Sequence, residues 1–156
     1  MSKTKGIAKV DWAEISPEEQ ELLERAEKAL EKAYAPYSGF RVGAAIRLKN
    51  GEIYTSNNQE NVSFPVGVCA ERSLLAYVGA NFPETPPEAL AIAAKRKDEN
   101  EPAYVTPCGH CRQAMVETEN RYQKPVKILI LMPGREVYRI AGVKELMPLT
   151  LDNLID

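Results

Sequence analysis

Apolar residues recur at three- and four-residue intervals through "SPEEQELLERAEKALEKAY". Leu22, Leu23, Ala26, Ala29, Leu30, Ala33 and Tyr34 draw one apolar stripe opposite a charged face and predict an amphipathic helix. Ser16 stands ahead of it as N-cap, with Pro17 in the first turn and Glu19 three residues on, the residues of a capping box. The pattern then changes: "FRVGAAIRLKNGEIYTSN" reads as two strands folded back across Lys49-Asn50-Gly51, where Asn-Gly supplies the positive φ of a tight turn. Helical spacing returns in "CAERSLLAYVGAN" through Leu74, Leu75 and Val78, with Gly79 and Asn81 as stop signals. The proline-rich loop "PETPPE" separates this helix from a short apolar strand, "ALAIAAK", and a charged turn, "RKDENEP". A third helix is expected over "CRQAMVETENRY". The apolar strand "VKILILM" returns antiparallel as "REVYRIAG" across a type II turn centred on Pro133 and Gly134. "VKELMP" adds a last helical turn. Residues 1–15 show no clear period and read as a polar N-terminal arm, and residues 16–156 as a single catalytic-size domain. Strands alternating with helices predict an α/β fold: a three-layer α/β/α sandwich whose five-stranded mixed sheet carries helices on both faces.

Composition narrows the possible partners. Twenty basic residues against twenty-two acidic ones leave a formal charge of −2, with no large positive field to hold a polynucleotide backbone. No stretch approaches the roughly 20 apolar residues that cross a bilayer, and the opening residues contain no apolar run of signal-peptide length. A cytoplasmic protein without membrane or nucleic-acid polymer partners is therefore expected. In a reducing compartment its three cysteines are poor candidates for structural disulfides, and the thiols need another role.

Two of them sit in "VTPCGHCRQ" around the only histidine of the chain. A C-x-x-C dithiol is one reading of this stretch, and "CGHC" itself resembles the active dithiol of disulfide isomerases, although Thr106-Pro107 precedes it in place of an aromatic residue. Simple packing of three small apolar thiols is another. A metal site uses all three: Cys108 and Cys111 at i and i+3 of a helix face one way, and Cys69 heads a second helix. Positive helix ends favour thiolates, and zinc suits the set. His110 could close the site as a fourth ligand of a structural zinc module, although it should point away from its neighbours. Three protein ligands alone leave the open corner of a catalytic zinc. Glu71, two residues after Cys69, then falls into place as general acid and base, or else simply as a carboxylate in a favourable first helical turn. Three thiolates on Zn²⁺ carry a net charge of −1, which a second-layer cation must offset; Arg72 is the candidate, Arg112 could serve likewise, and either could be an ordinary solvated residue.

"VCAERS" followed by "TPCGHCRQ" resembles the cytidine deaminases and their H-x-E…P-C-x-x-C signature, with cysteine in place of the first histidine. "AYAPYSGFRVGAA", "GEIYTSNNQEN", "FPVGVCAER" and "PCGHCRQ" follow the family's order, so that the likeness covers roughly residues 17–148. The all-cysteine site resembles the small homotetrameric branch. The resemblance implies one zinc per subunit on Cys69, Cys108 and Cys111, and hydrolytic deamination of cytidine and 2′-deoxycytidine to the uridine nucleosides with release of ammonia. Glu71 would take the proton of a zinc-activated water, deliver it to N3 of the base and later protonate the departing amine. Phe40 would lie against the pyrimidine ring, Asn58 and Glu60 would bind the ribose hydroxyls, the Ala70 N–H would meet the 2-oxo group and the Thr106 carbonyl would accept from the 4-amino group. A deaminase of another cytosine nucleoside, such as blasticidin S, is the nearest alternative; a dithiol oxidoreductase and a non-catalytic zinc-stabilised binding module stand further off. The family commonly carries an aromatic residue near its C-terminus, and Leu149 occupies about that position here.

Overall fold

Nine regular elements and several 3₁₀ turns build the chain in the computed structural model, which describes residues 6–152 and Leu154. In chain order they are β1 (Ile7–Asp11), α1 (Pro17–Ala29), β2 (Phe40–Leu48), β3 (Ile53–Asn57), α2 (Ala70–Asn81), β4 (Pro87–Arg96), α3 (Gly109–Tyr122), β5 (Lys127–Leu131) and β6 (Glu136–Ile140). The strands form one mixed sheet in the order β1-β6-β5-β4-β2-β3, in which only the β4–β5 pairing is parallel.

The sheet has six strands where the sequence pattern predicts five, because the segment read as an arm supplies β1. It pairs antiparallel with β6, from Ile7 opposite Ile140 to Asp11 opposite Glu136. Beyond it Trp12 stacks under the Arg135 guanidinium at 4.3 Å, and Arg135 also reaches Glu27 of α1 at 3.4 Å. The third strand of the predicted set is also longer than expected at its start: β4 begins at Pro87 rather than Ala89.

The predicted local signals act as chemistry requires. Ser16 Oγ accepts from the Glu19 N–H at 3.2 Å while Glu19 accepts from the Ser16 N–H at 3.1 Å, closing the capping box. In the β2–β3 hairpin only Gly51 takes a positive φ, of 86°, and the Asn50 side chain instead accepts from the Glu52 N–H at 3.0 Å. Gly134 takes the left-handed conformation expected between β5 and β6 (φ 72°), and Arg135 follows it there (φ 55°).

Alternation along the central strands feeds two cores. Ala89, Ala91 and Ala93 of β4 face α1, with Leu22, Leu23, Ala26 and Leu30. Leu90, Ile92 and Ala94 face the opposite layer, with Leu74 and Val78 of α2 and Met115 and Val116 of α3. The small residues on the α1 side let that helix lie close. At Gly43 of β2 a Cβ atom would stand 2.0 Å from the Ala26 carbonyl oxygen, so only glycine fits.

β3 and β4 both run antiparallel to β2 and therefore share a direction, and β5 is parallel to β4. α2 bridges β3 to β4 and α3 bridges β4 to β5, so both helices must start at the same end of the sheet. This end carries the site.

Glu19 links α1 to the far half of the sheet. Its buried carboxylate accepts from Arg139 Nε and Nη2, both at 2.9 Å, and lies 3.4 Å from Lys127 Nζ. Burial alone would raise its pKa, but Arg139, the Ser16 N–H and Lys127 together hold it at about 2, below the ordinary 4.5. A carboxylate depressed in the folded state stabilises the fold above its unfolded pKa and loses that contribution as the pH falls through the folded one. The Glu19→Gln variant should lose roughly 1.5–3 kcal/mol at neutral pH, as expected for hydrogen bonds to a charged group. Urea melts at stepped pH should show the gap to the parent narrowing between pH 4.5 and about 2.

Candidate active site and metal centre

α2 and α3 each begin with a cysteine. Cys69 is the N-cap of α2, Cys108 the N-cap of α3, and Cys111 lies in the first turn of α3. Neither N-cap thiol caps its own helix. The sulfurs meet one another: Cys69 Sγ and Cys108 Sγ are 3.7 Å apart, Cys108 Sγ and Cys111 Sγ 3.5 Å, and all three lie within 4.8 Å. None is in a disulfide. Sulfur ligands at tetrahedral corners, about 2.3 Å from a zinc ion, would be about 3.8 Å apart, so the trio fits such an ion with little movement.

Electrostatics favours the same occupant. The neighbouring Cys111 thiol lowers the pKa of Cys69 to about 6 against the opposing effect of burial, with Cys108, Arg72 and His110 adding to the fall. Cys111 is pushed up in turn, by Cys69, by burial and by the charge of Glu71. Cys69 and Cys111 thus compete for a shared proton at two positive helix ends, and a divalent cation among the sulfurs can take its place.

Glu71, the second residue of α2, is 4% exposed, and its Oε2 accepts from Cys111 Sγ at 3.6 Å. Burial pushes its carboxyl up to about 7, and the charge at Cys69 adds to the rise. A carboxyl poised there can take up and release a proton near neutral pH.

The other sequence-predicted residues are distributed around this end of the sheet. His110 is exposed and is not among the ligand atoms that converge. Arg72 is exposed and acts on Cys69 through its charge. Ala70 is buried at the start of α2, where helix N–H groups have no partner within the helix. Thr106 is half-buried just ahead of α3. Phe40 opens β2, packs on the α2–α3 side of the sheet and carries the Arg96 guanidinium at 5.6 Å from its ring. Asn58 braces β2, with Oδ1 accepting from the Val42 N–H at 2.8 Å and Nδ2 donating to the Phe40 carbonyl at 2.9 Å. Glu60 accepts from the Tyr37 N–H at 3.0 Å, the Ser38 N–H at 3.2 Å and the Ser38 hydroxyl at 2.6 Å. Leu149 is 89% exposed.

Two features escape the sequence reading. Tyr37, Ser38 and Phe64 join Glu60 in lining an open cavity of about 370 Å³; the only local signal is aromatic residues set among Pro and Gly in polar loops. Arg112 neither faces the sulfurs nor lies solvated on its helix. Its Nε donates to the Pro107 carbonyl and its Nη1 to the Leu146 carbonyl, both at 2.8 Å.

Comparison with known proteins gives a concordant result. The family model for the cytidine and deoxycytidylate deaminase zinc-binding region matches residues 16–124. A cytidine deaminase of Halalkalibacterium halodurans is 42% identical over 98 residues, which are 63% of this chain and 70% of that protein. A probable cytidine deaminase of Dictyostelium discoideum is 31% identical over 135 residues, 83% of this chain and 80% of its own. Among solved structures, the cytidine deaminase of Burkholderia pseudomallei superposes with a TM-score of 0.70 at 31% identity, covering 88% of this chain and all of that one. That of Mycobacterium tuberculosis gives 0.64 at 30% identity, over 84% and 94%.

The purified protein should contain one zinc per chain by elemental analysis. Cys111→Ser, which removes the buried sulfur, should lose most of it; unchanged zinc in that variant would contradict the three-sulfur site.

Proposed function

The chain belongs to the cytidine and deoxycytidylate deaminase family, and from that premise we propose that it hydrolyses the 4-amino group of cytidine and 2′-deoxycytidine, giving the uridine nucleosides and ammonia. One observation carries the reading: a buried carboxylate stands 3.6 Å from one of three sulfurs that converge at two helix N-termini. Zinc held by Cys69, Cys108 and Cys111 would supply the Lewis acidity that makes water acidic at neutral pH.

Glu71 does the proton work. Water contributes its oxygen to C4 of the pyrimidine, and its two protons end on N3 and on the leaving nitrogen, so that one side chain must accept twice and donate twice. A carboxyl held near 7 by burial is matched to both directions. Burial also keeps bulk water from competing for those protons. Arg72 and the two helix N-termini offset the net negative charge of three thiolates around a divalent ion.

Around this centre the base is oriented by the Ala70 N–H on its 2-oxo group and the Thr106 carbonyl on its 4-amino group, with Phe40 against the ring. Asn58 and Glu60 take the ribose hydroxyls. Glu60's place on the rim of the cavity formed with Tyr37, Ser38 and Phe64 supports its part in this reading. The Asn58 carboxamide, braced on β2, keeps one N–H and one lone pair to offer.

The same reading includes a homotetramer working in the cytoplasm. Its support is the apolar surface of one loop, where Val62, Phe64 and Val66 are 79%, 73% and 65% exposed and call for cover. Among the described residues no helix is long and apolar enough to cross a membrane.

Glu71→Gln should keep zinc and fold while kcat for cytidine, followed by loss of absorbance, falls about 10²–10⁴-fold. Near-parent turnover in that variant would overturn the proton role. Light scattering should return a mass four times that of the chain; a mass equal to one chain would remove the assembly.

A further inference from the structure

We propose that Arg112 is a positioning residue that fixes the Cys108 corner of the sulfur trio and so sets how tightly the trio holds its metal; the inference rests on the zinc reading above. Cys108 is the exposed member of the trio, with Cys111 buried and Cys69 half-buried, so packing constrains it least. An N-cap side chain ordinarily steadies its own turn by accepting from a helix N–H, but the Cys108 sulfur faces the other two and makes no such bond. The turn needs a tie from elsewhere.

Arg112 supplies it. It follows Cys108 by one helical turn, its N–H donating to the Cys108 carbonyl at 2.9 Å, and its side chain runs back along the helix as helical side chains do. Nε reaches the Pro107 carbonyl at 2.8 Å. Because the Pro107–Cys108 peptide is planar, holding that oxygen also sets the direction of the Cys108 N–H and the position of its Cα. Proline's φ is fixed by its ring, which leaves ψ as the torsion that Arg112 settles.

The other arm of the guanidinium is anchored. Nη1 donates to the Leu146 carbonyl at 2.8 Å, at the end of the 3₁₀ turn Val143–Leu146. This turn is itself pinned by Glu119, whose buried carboxylate accepts from the Val143 N–H at 3.1 Å and the Val126 N–H at 2.8 Å. Arg112 is thus a strut between the core-anchored C-terminal turn and the loop that carries Thr106, Pro107 and Cys108. Its neighbour Gln113 makes the informative contrast: Nε2 donates to the Leu151 carbonyl at 2.8 Å, tying the same tail without touching the cysteine loop.

The test compares the full-length parent, Arg112→Met, Arg112→Lys and Gln113→Ala by zinc affinity in chelator competition and by the thiolate absorption bands of the cobalt(II) forms. Arg112→Met should bind zinc about 10–100-fold more weakly, the usual effect of removing a group that orients a ligand, with shifted cobalt bands. Arg112→Lys, whose single ammonium lacks the fork that spans two carbonyls, should fall between, and Gln113→Ala should match the parent. Parent-level affinity and spectrum in Arg112→Met, or an equal loss in Gln113→Ala, would overturn the proposal. Should Arg112→Met not fold, parent-level affinity in Arg112→Lys would do the same. A parent that binds no zinc removes both this inference and the proposed function, whereas a zinc-loaded parent with unaffected Arg112 variants removes this inference alone.

Discussion

The shared direction of β3, β4 and β5 is the constraint from which the site follows. A helix that returns the chain between two strands of one direction has to start at the carboxyl end of the first, and two such returns in succession place two helix N-termini side by side. One end of the sheet thereby collects two positive helix ends, the loop ahead of each, and the residues that open α2 and α3. Everything attributed to Cys69, Glu71, Cys108 and Cys111 depends on this topology rather than on any contact between the two motifs in sequence. The opposite face of the sheet serves the same end indirectly. Alanines on β4 and the glycine at 43 let α1 seal that side closely, and the larger apolar residues are left to support α2 and α3.

The site is an electrostatic contest that a cation resolves. Three sulfurs and a carboxylate occupy a small volume in which Cys111 holds its proton, burial keeps the Glu71 carboxyl near neutral and the Cys69 thiol is left acidic. The helix ends and the Arg72 charge lower the cost without removing it. A divalent ion among the sulfurs replaces shared protons with a stronger charge. Glu71 differs from the trio in chemistry and place: an oxygen atom on its buried side, with a carboxyl that burial raises to about 7.

Much of this was open to reading because it depends on short-range patterns. The Ser16 capping box, the apolar stripe of α1, the hairpin at Gly51 and the spacing of Cys108 and Cys111 all express rules that act within a few residues. The i, i+3 geometry of two thiols is local, and the coming together with Cys69 requires only that both motifs open helices on one side of a sheet. What stayed hidden depends on partners distant in sequence. β1 is an edge strand with a neighbour on one side only, so it needs little apolar alternation, and its order derives from β6 and from Trp12 beneath Arg135. Arg112 looks like any charged helix residue until the C-terminal turn is folded against it. Asn58 and Glu60 read as polar loop residues, and nothing in their spacing reveals that one braces β2 and the other ties down Tyr37 and Ser38.

The central claim is that three sulfurs from two helices share one zinc ion and leave its fourth corner to a lighter atom. X-ray absorption at the zinc edge of the isolated protein tests it most directly. The account predicts three sulfur neighbours at about 2.3 Å and one oxygen or nitrogen near 2.0 Å. A shell made of nitrogen and oxygen with fewer than three sulfurs would contradict it.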